Sequence, residues 1–218
     1  MNVLAIYGSG GLGIEIAQTV QDIETQHSDW EKTVFIDDVS IKKSVNGIPV
    51  LPYSKFKTHF STCDAEIVIG VGEPKSRHKL MKMIETDGYQ LARIIHPSAS
   101  VSEYSTIGPG AVVQYGARVA PNAHIGKNTV LNSHSSVGHN CVVGDGCVIS
   151  SFVPVGGGAK IGDNTFIGMG AIIRDHISIG SDCIISMGAV VFKDVKDSML
   201  AMGNPARSMM TSKEGVFH

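Results

Sequence analysis

Aromatic side chains make up only 6% of this chain and charged ones 17%, with a single tryptophan. The formal net charge is −2, so the sequence carries no basic footprint for a nucleic acid. No apolar run approaches the ~20 residues that a membrane-spanning helix needs, and Met1 to Tyr7 lacks the basic start of a secretory signal. These absences lead us to expect a cytoplasmic protein without membrane insertion. The four cysteines, Cys63, Cys141, Cys147 and Cys183, contain no C-x-x-C pair, which argues against a disulfide framework or a zinc site. No metal is expected. What the chain has instead is glycine, 25 residues of it, and an apolar fraction of 43%, as suits short strands joined by tight corners.

The apolar residues follow a strict period. From Val101 to Val191 every sixth residue is aliphatic, sixteen times without an insertion, and the residue two places earlier is usually small (Ala99, Ser105, Ala111, Ala117, Ala123). This is the hexapeptide lattice of a parallel β-helix. Six residues make one short strand and one corner, and three such units close a triangular coil. Successive coils stack at about 4.8 Å, so equivalent residues recur every eighteen positions. The aliphatic side chain fills the interior, worth about 1.5–3 kcal/mol when buried, and glycine allows a corner to take positive φ. A period of six would smear apolar residues around an α-helix. Cys141, Cys147 and Cys183 fall on the small interior position and read as packing residues.

The lattice fills only the second part of the chain, so two domains are expected, residues 1–95 and 96–218. In the first, Asn2 to Tyr7 reads as a buried strand running into Gly8-Ser9-Gly10-Gly11-Leu12-Gly13, followed by helical spacing from Ile14 to Ile23. Glycines 8, 10 and 13 match G-x-G-x-x-G in the strand-to-helix setting where a phosphate can approach free backbone N–H groups. A strand over Thr33 to Ile36 delivers Asp37 and Asp38 at its carboxyl end. A third, Glu66 to Val71, ends at Gly72, before a helix over Ser76 to Thr86 capped by Ser76. Gly10, Asp37 and Gly72 would then share the carboxyl edge of one sheet, the usual ligand crevice of an open α/β fold. Arg77 reads either as a phosphate contact or as a solvated helix charge. Gln90 to Ile95 closes the domain, and His96-Pro97-Ser98 reads as the hinge. One βαβ half of this length suits a mononucleotide, which makes a nicotinamide-dependent reductase a poor fit.

Of nine histidines, His27, His59, His78 and His218 read as surface residues, His96 as structural, and His124 and His176 as non-interior lattice positions. His139 stands out. It lies two residues past the interior Val137, on an outward corner, and eighteen residues later comes Gly157 within Gly156-Gly157-Gly158. An imidazole beside bare backbone N–H groups supplies a base and an oxyanion donor, the pairing that acyl transfer requires. His134, on a different corner, is a weaker candidate. After Val191 the lattice ends, and Asn204-Pro205 reads as the start of a short carboxyl-terminal helix, with Arg207 near a phosphate or solvated.

Five stretches together carry a resemblance: Tyr7-Gly8-Ser9-Gly10-Gly11, Asp37-Asp38, Ile94-Ile95-His96-Pro97-Ser98, His139-Asn140-Cys141 and Gly203-Asn204-Pro205-Ala206-Arg207. Over nearly its whole length the chain resembles the bacterial nucleotide-sugar acetyltransferases that act on 4-amino sugars of the bacillosamine and perosamine type, with O-acetylating relatives that act on sialic acid. The resemblance implies an amino-terminal half-Rossmann domain followed by a left-handed parallel β-helix, and a homotrimer with active sites between subunits. It also implies acetyl-CoA as co-substrate and a nucleotide sugar held by the amino-terminal domain. The family's general base falls on His139, with Asn140 beside it, and the oxyanion donor on Gly157. Nucleotide contacts fall on Gly10, Gly11, Leu12, Asp37, Asp38 and Gly72, and contacts to coenzyme A on Gly157, Met169 and Met187. Three positions depart from the pattern: Asn140 stands where some members have an acid, Leu12 where a histidine is common, and Ile14 where relatives have a lysine. The expected activity is N-acetylation of a nucleotide-linked 4-amino-4,6-dideoxy sugar for a surface polysaccharide or glycan. The alternatives are O-acetylation of sialic acid and a non-catalytic sugar-nucleotide-binding scaffold.

Overall fold

A computed structural model describes residues 2–24 and 30–210. Strand β1 (Val3–Tyr7) is buried at every position, as its unbroken apolar run requires of a central parallel strand. It leads through the glycine loop into α1 (Gly11–Glu24), which begins three residues before the apolar spacing suggests. Then come β2 (Lys32–Ile36), the small strands β3 (Ser44–Val45) and β4 (Ile48–Leu51), α2 (Tyr53–His59), β5 (Ala65–Ile69), α3 (Pro74–Thr86) and β6 (Gln90–Leu91). The sheet order is β3-β4-β2-β1-β5-β6, parallel except for the β3-β4 hairpin. Asn46 and Gly47, both at positive φ, make that hairpin's turn. The N-cap of α3 is Glu73, whose carboxylate accepts from Lys75 N and Ser76 N, so Ser76 is not the cap.

The expected strand Gln90 to Ile95 is two strands. β6 extends the amino-terminal sheet, whereas Ile94–Ile95 pairs with Val112–Val113 and already belongs to the β-helix. Ile95 sits six residues before Val101 and is on the lattice. The β-helix is a three-sided prism. Its first face starts at Ile94–Ile95 and runs through Val112–Val113, Val130–Leu131, Val148–Ile149, Phe166–Ile167 and Ile184–Ile185. The second runs from Ser100–Val101 to Val190–Val191, and the third from Thr106–Ile107 to Ser178–Ile179. The second residue of each strand points inward into one continuous core with Cys141, Cys147 and Cys183, as the period requires. Left-handed backbone recurs every sixth residue at the corners, from Gly110 and Gly116 through Asn122, Asn128, His134 and Asn140 onward. That conformation explains why asparagine and glycine dominate the position.

What faces outward on the first face decides how the domains dock. Ile94, Val112, Val130 and Val148 are buried, and together with Phe166 they pack against Ile16, Ala17 and Val20 of α1 and the amino-terminal sheet. Polar pins flank this apolar stripe. On one side Thr19 Oγ1 donates to Gln114 Oε1 at 2.6 Å, and His96 Nε2 lies 3.0 Å from Asp22 Oδ2. On the other side Arg77 is completely buried. Its guanidinium donates to the carbonyls of Asn128, Ile69 and Val71 and to Asn128 Oδ1. Arg77 is therefore neither a phosphate contact nor a solvated charge but a tie between α3 and the prism. Burial pushes its charged form down, and the four carbonyl oxygens take up its donors.

The expected carboxyl-terminal helix is not found through Met210. Met199–Met202 continues the first face alongside Ile184–Ile185, and Arg207–Met210 returns antiparallel to it, with Gly203 to Ala206 as the turn. Pairing with the open edge of the last coil outweighs the local Asn-Pro helix-start pattern. The Asn204–Pro205 bond is cis. Arg207 thus lies on a strand of this hairpin.

Candidate active site

The expected site residues form three groups. Gly10, Gly11, Leu12, Asp37, Asp38 and Gly72 gather at the carboxyl edge of the amino-terminal sheet, because β1, β2 and β5 are parallel and in register. A cleft of about 380 Å³ opens there, lined by Tyr7, Gly8, Asp38, Val71, Lys79 and Leu80 among others. The glycines divide the work. A Cβ at Gly13 would lie 1.9 Å from Gly8 O, so Gly13 allows α1 to meet β1, while a Cβ at Gly10 or Gly11 would meet nothing within 4 Å. These two leave room for a ligand. Leu12 packs its side chain toward the core, which leaves only its backbone for a ligand.

Both acids are engaged with the chain. Asp37 Oδ2 accepts from Ser9 N at 3.0 Å and Ser9 Oγ at 2.6 Å, and its Oδ1 accepts from Val39 N and Ser40 N. Partial burial pushes the Asp37 carboxyl up, but these hydrogen bonds outweigh it and hold it below its ordinary value. Asp38 accepts from Tyr7 Oη and from Tyr53 N. Burial, then the Asp38 carboxylate, push the Tyr7 phenol well above its ordinary value. The pair therefore fixes the glycine loop and the cleft wall. Tyr7, Ser76, Lys79 and Leu80 line the cleft without having been expected there. The i, i+3, i+4 spacing of the last three on α3 is the signal that finds them.

The second group lies on the corner between the second and third prism faces. His139 and Asn140 are exposed there. A Cβ on Gly157 would come within 2.7 Å of His139 Nε2, so the imidazole lies directly over that glycine. His134 over Gly116 and His176 over Gly158 repeat the arrangement, so a ring over a glycine is a general lattice feature. The free amide sets His139 apart. On the third-to-first corner, the N–H groups of Lys127, Asp145, Asp163 and Ser181 donate to the side chains of Asp145, Asp163, Ser181 and Asp197. Gly116 N–H donates to Ser98 Oγ and Gly158 N–H to His139 O, whereas Gly157 N–H, with Asp175 one coil on, has no acceptor among the described residues. Asn140 sits at φ 57°, where the corner itself favours asparagine, and its Nδ2 lies 3.0 Å from His139 Nδ1. The two ends of an amide are nearly isosteric. A flip places Oδ1 there to accept from Nδ1–H and leaves Nε2 as the free base.

Met169 and Met187, both exposed, make the third group on the first-to-second corner, away from His139. The same corner carries a ladder of rings, His96, Tyr115, His134 and Phe152, each centroid 5.2 Å from the next. His134 belongs to that ladder. Among the described residues no group of three metal-ligating side chains occurs, and no helix is long and apolar enough to cross a membrane. His27 and His218 lie outside the described residues; His59 is exposed, and His78 is partly buried.

Comparison with known proteins decides the family. Residues 3–84 match the PglD N-terminal domain, and residues 122–157 and 158–193 match the bacterial transferase hexapeptide (six repeats). The acetyltransferase domain of PglB from Neisseria gonorrhoeae FA1090, solved with acetyl coenzyme A, is 31% identical. It covers 95% of this chain and 99% of its own, with a TM-score of 0.89. The chain belongs to the PglD-type hexapeptide acetyltransferases. PerB from Caulobacter crescentus, solved with CoA and GDP-perosamine, is 27% identical over 96% of this chain and 98% of its own, with a TM-score of 0.86. GDP-perosamine N-acetyltransferase of Escherichia coli O157:H7 is 32% identical over 120 residues. That match spans 52% of this chain and about half, 51%, of the relative. In this PglD-type acetyltransferase the prism is the left-handed parallel β-helix of the hexapeptide transferases.

Proposed function

We propose that the protein transfers the acetyl group of acetyl-CoA to the amino group of a nucleotide-linked 4-amino-4,6-dideoxy sugar, in the cytoplasm, for a surface polysaccharide or glycan. The observation that carries the reading is the imidazole of His139 seated over Gly157, whose backbone N–H has no acceptor among the described residues. The relatives solved with acetyl coenzyme A, and with CoA and GDP-perosamine, support the choice of donor and acceptor.

The amine nitrogen attacks the thioester carbonyl, and His139 Nε2 takes the proton that the nitrogen sheds. Gly157 N–H donates to the oxyanion of the tetrahedral intermediate, a role that needs a fixed donor with no competing acceptor. As the C–S bond breaks, the imidazolium returns its proton to the departing CoA thiolate. Asn140 holds the ring. Gly10, Gly11 and the Leu12 amide face the phosphates, Asp37 and Asp38 brace the loop around the nucleoside, and Gly72 closes the same edge. Met169 and Met187 flank the pantetheine arm.

One copy of the chain keeps these groups apart. The nucleotide cleft belongs to the domain that covers the first prism face, and His139 stands on the one prism edge that this face does not border. The methionines are on a third site, across the second face from His139. A second copy brings its His139 corner to the cleft, which supports a homotrimer with sites between subunits. The His139→Ala variant tests the chemistry. Turnover falls by about 10²–10⁴-fold with the oligomer unchanged on light scattering; near-normal turnover overturns the assignment. Acetyl transfer to amino sugars but not to sialic acid in the same assay separates N- from O-acetylation.

A further inference from the structure

The glycine loop of this chain, Gly8-Ser9-Gly10-Gly11-Leu12-Gly13-Ile14, carries no basic side chain. A nucleoside diphosphate is strongly anionic, and the cleft it would enter already holds two carboxylates, Asp37 and Asp38. Their hydrogen bonds to Ser9, Val39, Ser40, Tyr7 and Tyr53 occupy both acids but do not remove their charge. The amino terminus of α3 offers little help, because Glu73 has already taken its Lys75 and Ser76 amides. The first amides of α1, at Gly11 and Leu12, have no intrahelical partner and remain. They are partial charges only.

Lys79 is the one cationic side chain lining this cleft among the described residues, on the same face of α3 as Ser76 and Leu80. It makes no ion pair with Asp37 or Asp38, unlike Lys57, which is matched to Asp87 at 3.0 Å. The buried Arg77, two residues earlier, is turned to the prism and spent on carbonyls, so it cannot serve. We propose that Lys79 supplies, from across the cleft, the positive charge for the diphosphate that the glycine loop does not provide. The inference rests on the nucleotide-sugar reading of the cleft and names the residue that pairs with the ligand's charge.

The test is calorimetric titration of the full-length protein with UDP and with GDP, on wild type, Lys79→Ala and Lys79→Arg. Lys79 is exposed, so the variants fold, which matching melting curves and unchanged CoA affinity verify. Wild type binds at least one of the two. Lys79→Ala loses about 10- to 100-fold in that affinity, the size of a charge-assisted phosphate contact, and Lys79→Arg recovers most of it. In turnover the alanine variant raises KM for the nucleotide sugar and leaves kcat near wild type. A loss of less than about threefold in Lys79→Ala overturns the proposal while the nucleotide reading stands. Failure of wild type to bind either diphosphate overturns the nucleotide reading itself.

Discussion

Arg77 Nη2 donates to the Asn128 backbone oxygen at 2.7 Å, and Asn128 Nδ2 donates back to Arg77 O at 3.1 Å. This reciprocal pair ties α3 of the amino-terminal domain to a left-handed corner of the prism, with no water-exposed surface on the arginine. It fixes where the cleft at the carboxyl edge of the amino-terminal sheet stands relative to the β-helix.

Arg77→Ala leaves four carbonyl oxygens without their donor in a buried seam. The expected cost is about 3–5 kcal/mol, read as a lower urea midpoint. Arg77→Lys recovers little, since an ammonium cannot span the fork of acceptors. A loss below about 1 kcal/mol in the alanine variant contradicts the docking role.

Gly157→Ala pushes a methyl group into the His139 ring. Because Gly157 is at an ordinary φ on an outward corner, the coil accommodates alanine and the imidazole moves instead. Turnover drops by about 10²-fold with little change in melting temperature. Wild-type kcat in this variant means that the ring position over Gly157 is not needed.

The six-residue period made the prism legible, and with it the outward placement of His139 and the inward placement of three cysteines. The domain docking was written in the sequence as well, at the residue before each interior position of the first face. Ile94, Val112, Val130, Val148 and Phe166 are apolar there, where the matching positions of the second face begin with Ser100, Arg118 and Ser136. Arg77 was not legible, because a helix sequence does not announce which of its charges meets a distant corner. The carboxyl-terminal hairpin was misread for a related reason. Asn204-Pro205 is a local helix signal, and only the open edge of the last coil, a tertiary feature, overrides it. The positions of Asp37 and Asp38 followed from strand order, but their engagement by Ser9, Tyr7 and Tyr53 depends on loop geometry.

Asp37 makes the stability of the glycine loop acid-sensitive. Its carboxyl is held below the ordinary value, so its contribution is present above about pH 4, where the unfolded carboxyl is ionised. That contribution is lost as pH falls through the lower folded-state value. Melting temperature measured from neutral to acid pH falls more for wild type than for Asp37→Asn. Parallel curves contradict the assignment.

Cys63 is exposed while Cys141, Cys147 and Cys183 are buried inside the prism. Burial pushes all three interior thiols up, Cys147 to about 12. Maleimide labelling of the native protein therefore modifies one of the four cysteines, at Cys63, and all four in denaturant. Fast native labelling at Cys147 contradicts the buried placement.

The claim that one copy's His139 corner serves another copy's nucleotide cleft has a direct test in mixed oligomers. His139→Ala spoils the corner, and Gly11→Glu, in open space at the head of α1, spoils the cleft by repelling phosphate without a clash. Each variant alone is nearly inactive. Unfolded together in equal amounts and reassembled, they regain about a quarter of wild-type turnover, because random pairing then joins one sound corner to one sound cleft. If the mixture stays as inactive as its parents while wild type survives the same treatment, the site does not span two copies.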